Sequence, residues 1–319
     1  MIDWFSGNEG YIQGALVAAL LAASVQVALR AGVLSFASVG FYGVGAYGTG
    51  YLTATQGWGT APAAAVVVII TVFLSWLLAL VLARLRALYL AMATIAFVLL
   101  VQIGALAWDS VTGGPLGLFG IPPALGTGGV AVILAGVLAV NALTQRGAVG
   151  RRLLLLRKDE ALASALGVNV RRQHQIAFVW SAVLGSLAGI SQASLLTVFT
   201  PENLGFSVMV SALTALVVGG TWHWSGPLIG GVVFSWFLSA YLGFASDYRG
   251  VVEGALTVVV LVFLPKGLAG LSELLDPRRL RRAAGTPTGG PGGVSAGVPG
   301  GVSTGPDRPV PAPEMGVSS

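Results

Sequence analysis

Side chains able to do covalent chemistry are scarce in this chain. None of its 319 residues is cysteine, which removes thiol catalysis, disulfides and Cys-ligated zinc. The two histidines, His174 and His223, stand far apart, and neither sits at metal-ligand spacing. No nucleophile–base arrangement and no carboxylate dyad emerges, so the chain reads as a non-enzyme without a resident metal or cofactor. A G-x-x-x-x-G-K-[ST] run is also missing, so ATP is not bound here by that route. What remains suits mechanical work: one polar–apolar helix among basic runs, and three glycine-rich segments.

The helix lies in GRRLLLLRKDEALASALGVNVRR, residues 150–172. Asp159 and Glu160 fall at a first turn, where acidic groups complement the helix dipole. Ala161 follows, and Leu162, Ala165 and Leu166 share one face at i, i+3 and i+4. Gly167 is placed to end the helix in the left-handed region. Such a helix either docks into a partner protein or lies on lipid headgroups, held by Arg151, Arg152, Arg157 and Lys158.

Two glycine-rich stretches occupy opposite halves of the chain. Residues 38–50, SVGFYGVGAYGTG, include Gly40, Tyr42, Gly43, Gly45 and Tyr47. Residues 217–233, VVGGTWHWSGPLIGGVV, include Gly219, Gly220 and Gly226. Both are expected to interrupt apolar segments, and paired interruptions expose backbone polar groups along a transport path. The alternative is close helix packing, since Gly226 and Gly230, like Gly185 and Gly189, form G-x-x-x-G. The third segment, 109–123, carries Thr112, Gly113, Gly114 and Gly117. Its glycines and prolines specify turns. Leu116, Leu118, Phe119 and Ile121 suggest a compact loop folded onto the outer mouth, lining it or receiving an external partner.

These residues must be held by elements suited to lipid. Hydrophobic residues make up 55% of the chain and charged residues 9%, against about 25% charged in soluble domains. The mean hydropathy of +0.85 agrees. Segments of spanning length occur near 11–29, 32–55, 61–83, 88–108, 128–144, 174–197, 206–221, 226–245 and 249–265. The fold class expected is an all-α transmembrane bundle of about nine spans, eight to ten, with glycine-broken helices and a cytoplasmic helix. If Arg30 faces the cytoplasm, only Arg249 of the 17 basic residues falls outside. The N-terminus is then external and the C-terminus cytoplasmic. This bias also accounts for the pI near 9.9 without nucleic acid. Asp3 and Glu9 precede the first apolar stretch without a basic residue, so that stretch is read as a retained helix. Residues 1–282 form the transmembrane domain, and the Gly/Pro-rich 283–319 a disordered cytoplasmic tail.

Isolated polar groups have ordinary explanations. Gln26, Gln102, Asn141 and Gln192 suit interhelical hydrogen bonds. Glu253 lies near the outer end of the last span, one turn from Arg249. His223, between Trp222 and Trp224, reads as part of an interfacial aromatic belt.

Taken together, LSFASVGFYGVGAYGTGYL (34–52), LYLAMATIAF (88–97), TGGPLGLFGIP (112–122), the 150–189 stretch, VVGGTWHWSGPLIGG (217–231) and FLPKGLAGL (263–271) resemble the branched-chain amino-acid permeases of bacterial ABC importers. The Thr-Gly-Gly loop is similar to that of the longer of the family's two partner permeases. The resemblance implies a multi-pass inner-membrane subunit that pairs with a second permease. Two ATPases would carry ATP and magnesium, and an external binding protein would deliver the solute. Glu160, Ala161 and Gly167 match the family's coupling-loop motif and would dock into an ATPase. Asp159-Glu160-Ala161-Leu162 lacks that motif's second alanine. A related permease for sugars, urea or short amides, or an ion-coupled transporter, are the competing expectations.

Overall fold

The structure, a computed structural model, describes residues 9–82, 85, 87–145, 147–221 and 223–241. The expected span 249–265 with Arg249 and Glu253, and the tail 283–319, lie outside them. Six of the described helices are long and apolar enough to cross a membrane. They follow a simple rule: in hydrocarbon each backbone N–H and C=O must be satisfied within the segment, which a helix does.

Helix α1 is Glu9–Arg30, α2 Ala37–Gly50, α3 Thr60–Leu82 and α4 Ala87–Ala107. A short α5, Asp109–Thr112, leads through a 3-10 turn to strand β1, Leu118–Phe119. Then come α6 (Thr127–Gln145), α7 (Gly147–Lys158), α8 (Glu160–Ala165) and α9 (Val170–Leu196). Strand β2, Val198–Phe199, α10 (Phe206–Gly219) and α11 (Gly226–Tyr241) complete the described chain.

The helices sort into a centre and a rim. Of the most apolar stretch of each, 72% of α9 and 61% of α1 is buried, against 28% of α3, 22% of α4 and 28% of α6. Helix α9 packs most extensively on α2, then on α1 and α3, while α11 packs on α1 and α10. The rim exposes large apolar side chains such as Ile69, Phe73, Leu88, Leu100, Ile103 and Val132, as lipid contact requires. Hydroxyls and amides join the helices. Ser181 Oγ donates to the Ser24 carbonyl (2.7 Å), Thr71 Oγ1 to Ser186 Oγ (3.1 Å) and Gln102 Nε2 to the Pro201 carbonyl (3.2 Å). Such bonds substitute for the hydrophobic effect, which does not act between helices in lipid.

Helix α9 is 27 residues long, about 40 Å, against a hydrocarbon core of about 30 Å. Its first turns, with Arg171 and Arg172, therefore project beyond the apolar layer next to α7 and α8. The opposite end carries the β1–β2 ribbon, in which Leu118 pairs with Phe199 and Phe119 with Val198, antiparallel. There, Glu9 accepts from Thr127 Oγ1 (2.7 Å) and Gln13 Nε2 (3.3 Å), tying the starts of α1 and α6 together.

Candidate functional site

The segment 150–172 folds into an arm of two helices rather than the single short one expected. Helix α7 already begins at Gly147, and its Leu156 is buried. At the joint, Asp159 caps α8: Oδ1 accepts from the Ala161 N–H (2.8 Å) and the Leu162 N–H (3.0 Å). This satisfies two donors that a helix start leaves open. The far end closes as a Schellman motif, with Val168 N–H on the Ala163 carbonyl and Gly167 N–H on the Ser164 carbonyl, both 3.0 Å. Gly167 has φ +80°, so the left-handed stop expected at this position is present. Asn169 then caps α9 by accepting from Arg172 N–H (3.0 Å), a signal that Asn ahead of a helix makes readable.

Among the described residues nothing fully covers the arm's apolar face. Ala163 is fully buried against the arm's base, whereas Leu162 is 49% and Leu166 63% exposed, and Ala161 and Ala165 are exposed beside them. The result is a short helix, capped at both ends, that presents two leucines outward.

The first glycine-rich stretch corrects an expectation. Residues 37–50 form an unbroken helix, continued by a π turn at Tyr51–Thr55. Its glycines are packing sites. A Cβ on Gly45 would strike the Ser186 carbonyl, one on Gly185 the Ser38 carbonyl, and one on Gly189 the Tyr42 carbonyl. Helices α2 and α9 thus meet backbone to backbone, running in the same direction. Gly40 and Gly43 make room for Phe97 and Leu204. Tyr42 and Tyr47 both pack edge-on against Phe199, with centroids 5.5 and 5.0 Å apart. Phe199 carries no signal in the sequence that would single it out. The hydroxyls of Ser38, Tyr47, Thr49 and Ser194, on these same two helices, are buried with no hydrogen-bond partner among the described residues.

The second stretch does break. Gly219 ends α10, Gly220 has φ +101°, and Gly226 starts α11. The break leaves carbonyls that α1 takes up: Gln26 Nε2 donates to His223 O (2.9 Å) and Thr221 O (3.4 Å), and Arg30 Nε to Thr221 O (3.4 Å). Gly219 and Gly226 also pack directly on one another, as do Gly230 and the Ala215 carbonyl.

The Thr112–Gly117 run is a folded corner. Thr112 Oγ1 donates to the carbonyls of Ala105 (2.6 Å) and Trp108 (2.8 Å). Gly113 and Gly117 have φ +74° and +80°, and a Cβ on Gly113 would strike the Gly117 carbonyl. Gly114 likewise lies against Asp109. Leu118 and Ile121 fold inward as expected, but Leu116 and Phe119 do not; they are 75% and 57% exposed. None of these glycines, tyrosines or Thr112 lines the cavity of about 650 Å³ that opens at the arm's end of the bundle.

Apolar helices of spanning length, glycine seams between them and a capped arm beyond one end define a multi-pass helical membrane protein. Residues 10–261 match the family described as branched-chain amino acid transport system / permease component, and the chain belongs to that family. Permease protein LivM of the high-affinity branched-chain amino acid transport system of Escherichia coli (strain K12) is 27% identical over 277 residues, 76% of this chain and 65% of LivM. LivH of the same system and strain is 32% identical over 146 residues, 45% of this chain and 46% of LivH. The autoinducer 2 import system permease protein LsrC of Klebsiella pneumoniae is 33% identical over 159 residues, 48% of this chain and 42% of LsrC. Each match spans less than two thirds of the relative's own length.

Proposed function

We propose that this chain is a membrane-spanning permease subunit of an ATP-driven importer for branched-chain or similar neutral amino acids. The observation that carries the reading is the arm: a helix capped by Asp159 and Gly167 whose Leu162 and Leu166 face outward. Partner ATPases hold ATP and magnesium and move relative to one another. Residues 159–167 receive that motion, and the α2–α9 and α10–α11 glycine seams are the joints along which it travels. The unspent hydroxyls on α2 and α9 support a solute path beside the first seam. A second permease and an external binding protein complete the assembly.

The orientation follows from charge. The arm's end carries Arg30, Arg151, Arg152, Arg157, Lys158, Arg171 and Arg172, whereas the ribbon end carries Glu9, Asp109 and Glu202. Basic residues stay on the cytoplasmic side, which supports an arm on the cytoplasmic side of the inner membrane and Thr112–Gly117 outside.

The test is uptake into proteoliposomes holding the whole complex. Labelled leucine should accumulate only with ATP, and ribose or urea should not. The likeness to LsrC favours a second reading, import of a sugar-like solute, which uptake of ribose in place of leucine would establish. Glu160→Lys should weaken capture of the ATPase; equal capture would remove Glu160 from the contact.

A further inference from the structure

The cavity of about 650 Å³ lies between α1, α3, α6, α7 and α9, at the arm's end of the bundle. Its lining is of two kinds. Val27, Val140, Ile176 and Val179 make an apolar wall, with Trp76 and Trp180 among them. Arg30 and Arg172 supply guanidinium groups, and Arg157 stands close enough to Arg30 for their charges to interact. Asn141, 2% exposed, also lines it, and its Nδ2 has no acceptor among the described residues.

The way in is sideways. Trp76 and Ile176, on α3 and α9, are 51% and 53% exposed. Trp76 also borders a shallow groove formed by Val68, Ile69, Val72 and Phe73 on the outer face of α3. That face is apolar along its length and belongs to the lipid-facing rim. The cavity is thus continuous with the bilayer side of the protein. Something that enters from there must be apolar over most of its length and anionic at one end.

We propose that this cavity holds an anionic phospholipid. Arg30 and Arg172 meet its phosphate, the Asn141 amide donates to an ester oxygen, and the acyl chains lie along Trp76 and the α3 face. A basic pocket between spans at the membrane surface suits such a headgroup, and aromatic rings suit the interface just beneath. Seated between α7 and the bundle, the lipid would brace the base of the arm. The leaflet occupied rests on the orientation given above; the site itself does not.

The experiment measures lipid retained by the purified full chain, in complex with its partner subunits, after exchange into nanodiscs of mixed phosphatidylglycerol and phosphatidylcholine. Phosphatidylglycerol should be retained selectively. Arg172→Gln should lower that retention about five-fold, and Arg30→Gln with Arg172→Gln about 25-fold. Arg151→Gln with Arg152→Gln removes equal charge from the exposed face of α7, outside the cavity, and should change retention less than about two-fold because exposed charges are screened. Arg172→Gln alone keeps the test decisive if the double variant does not fold. The proposal is overturned if phosphatidylcholine is retained equally, or if the α7 pair matters as much as the cavity pair. It is also overturned if Trp76→Cys crosslinks to a partner permease instead of to a lipid-borne probe. Labelling of Arg151→Cys from each side of the membrane reads the orientation separately, so an inverted topology and an absent lipid site give different results.

Discussion

The α2–α9 seam and the α7–α8 arm are both built of paired helices, yet opposite demands set their sequences. Along the seam the close-packed glycines answer to other residues of the same chain. Gly45 accommodates Ser186, Gly185 accommodates Ser38, and Gly189 accommodates Tyr42, with no space left for a single methyl group. On the arm, Leu162 and Leu166 are left largely exposed by the described residues. The caps at Asp159 and Gly167, with Ala163 buried beneath, give α8 its shape. A region specified from within is expected to fail by unfolding; a region specified from outside is expected to fail by losing its partner while the fold survives.

The seam should give the largest effect. Gly189→Leu must separate two backbones in contact, at a cost of about 3 kcal/mol or more. Expected is loss of monodisperse protein on extraction in detergent. Gly136→Leu on α6, where nothing lies within 4 Å of an added Cβ, should shift stability by less than about 1 kcal/mol. If both variants behave alike, the seam is not the tight joint described.

The arm should give the next largest effect, and of the other kind. Leu162→Asp with Leu166→Asp removes two exposed leucines, each able to contribute about 1.5–3 kcal/mol when covered. Capture of the ATPase subunit should fall at least about tenfold, with the thermal midpoint of the isolated chain unchanged. A lowered midpoint with intact capture would reverse the comparison. Between the two lies Gln26→Leu. It removes the Gln26 donor from the His223 and Thr221 carbonyls at the α10–α11 break, which keep the Gly226 N–H and Arg30 Nε, and should cost about 0.5–1.5 kcal/mol, read as a lower midpoint without loss of extractable protein.

How much of this could be read in advance depended on whether the controlling force was local. Expected spans such as 61–83, 88–108 and 128–144 agree with α3, α4 and α6 to within a residue or so, because lipid imposes length and composition on each span separately. The stops at Gly167 and Gly220 were legible for the same reason, being set by backbone conformation. Residues 38–50 looked like an interruption because glycine is a poor helix former in water. In a bilayer an opened backbone costs more than glycine's entropy, so the helix holds. Helix α7 lies in a run whose basic residues mask its helical character; within it Leu156 is buried, which spacing alone does not reveal. The partners of the glycines, and the role of Phe199 as the platform for Tyr42 and Tyr47, are likewise long-range facts that spacing alone does not encode.

The smallest expected effect tests whether the arm's shape, rather than its apolar surface alone, is what a partner reads. Asp159→Ala leaves Leu162 and Leu166 in place and removes only the cap on α8, at a local cost of about 1 kcal/mol. A six-residue helix has little else to hold its first turn, so the leucines should spend more time out of register, and ATPase capture should weaken by about five-fold. Asp159→Ser, whose hydroxyl can accept the same N–H groups, should restore most of that loss. If Asp159→Ala and Asp159→Ser weaken capture equally, the carboxylate is a contact in its own right. If neither weakens it, the partner orders the helix on binding, and the preformed arm is not what is recognised.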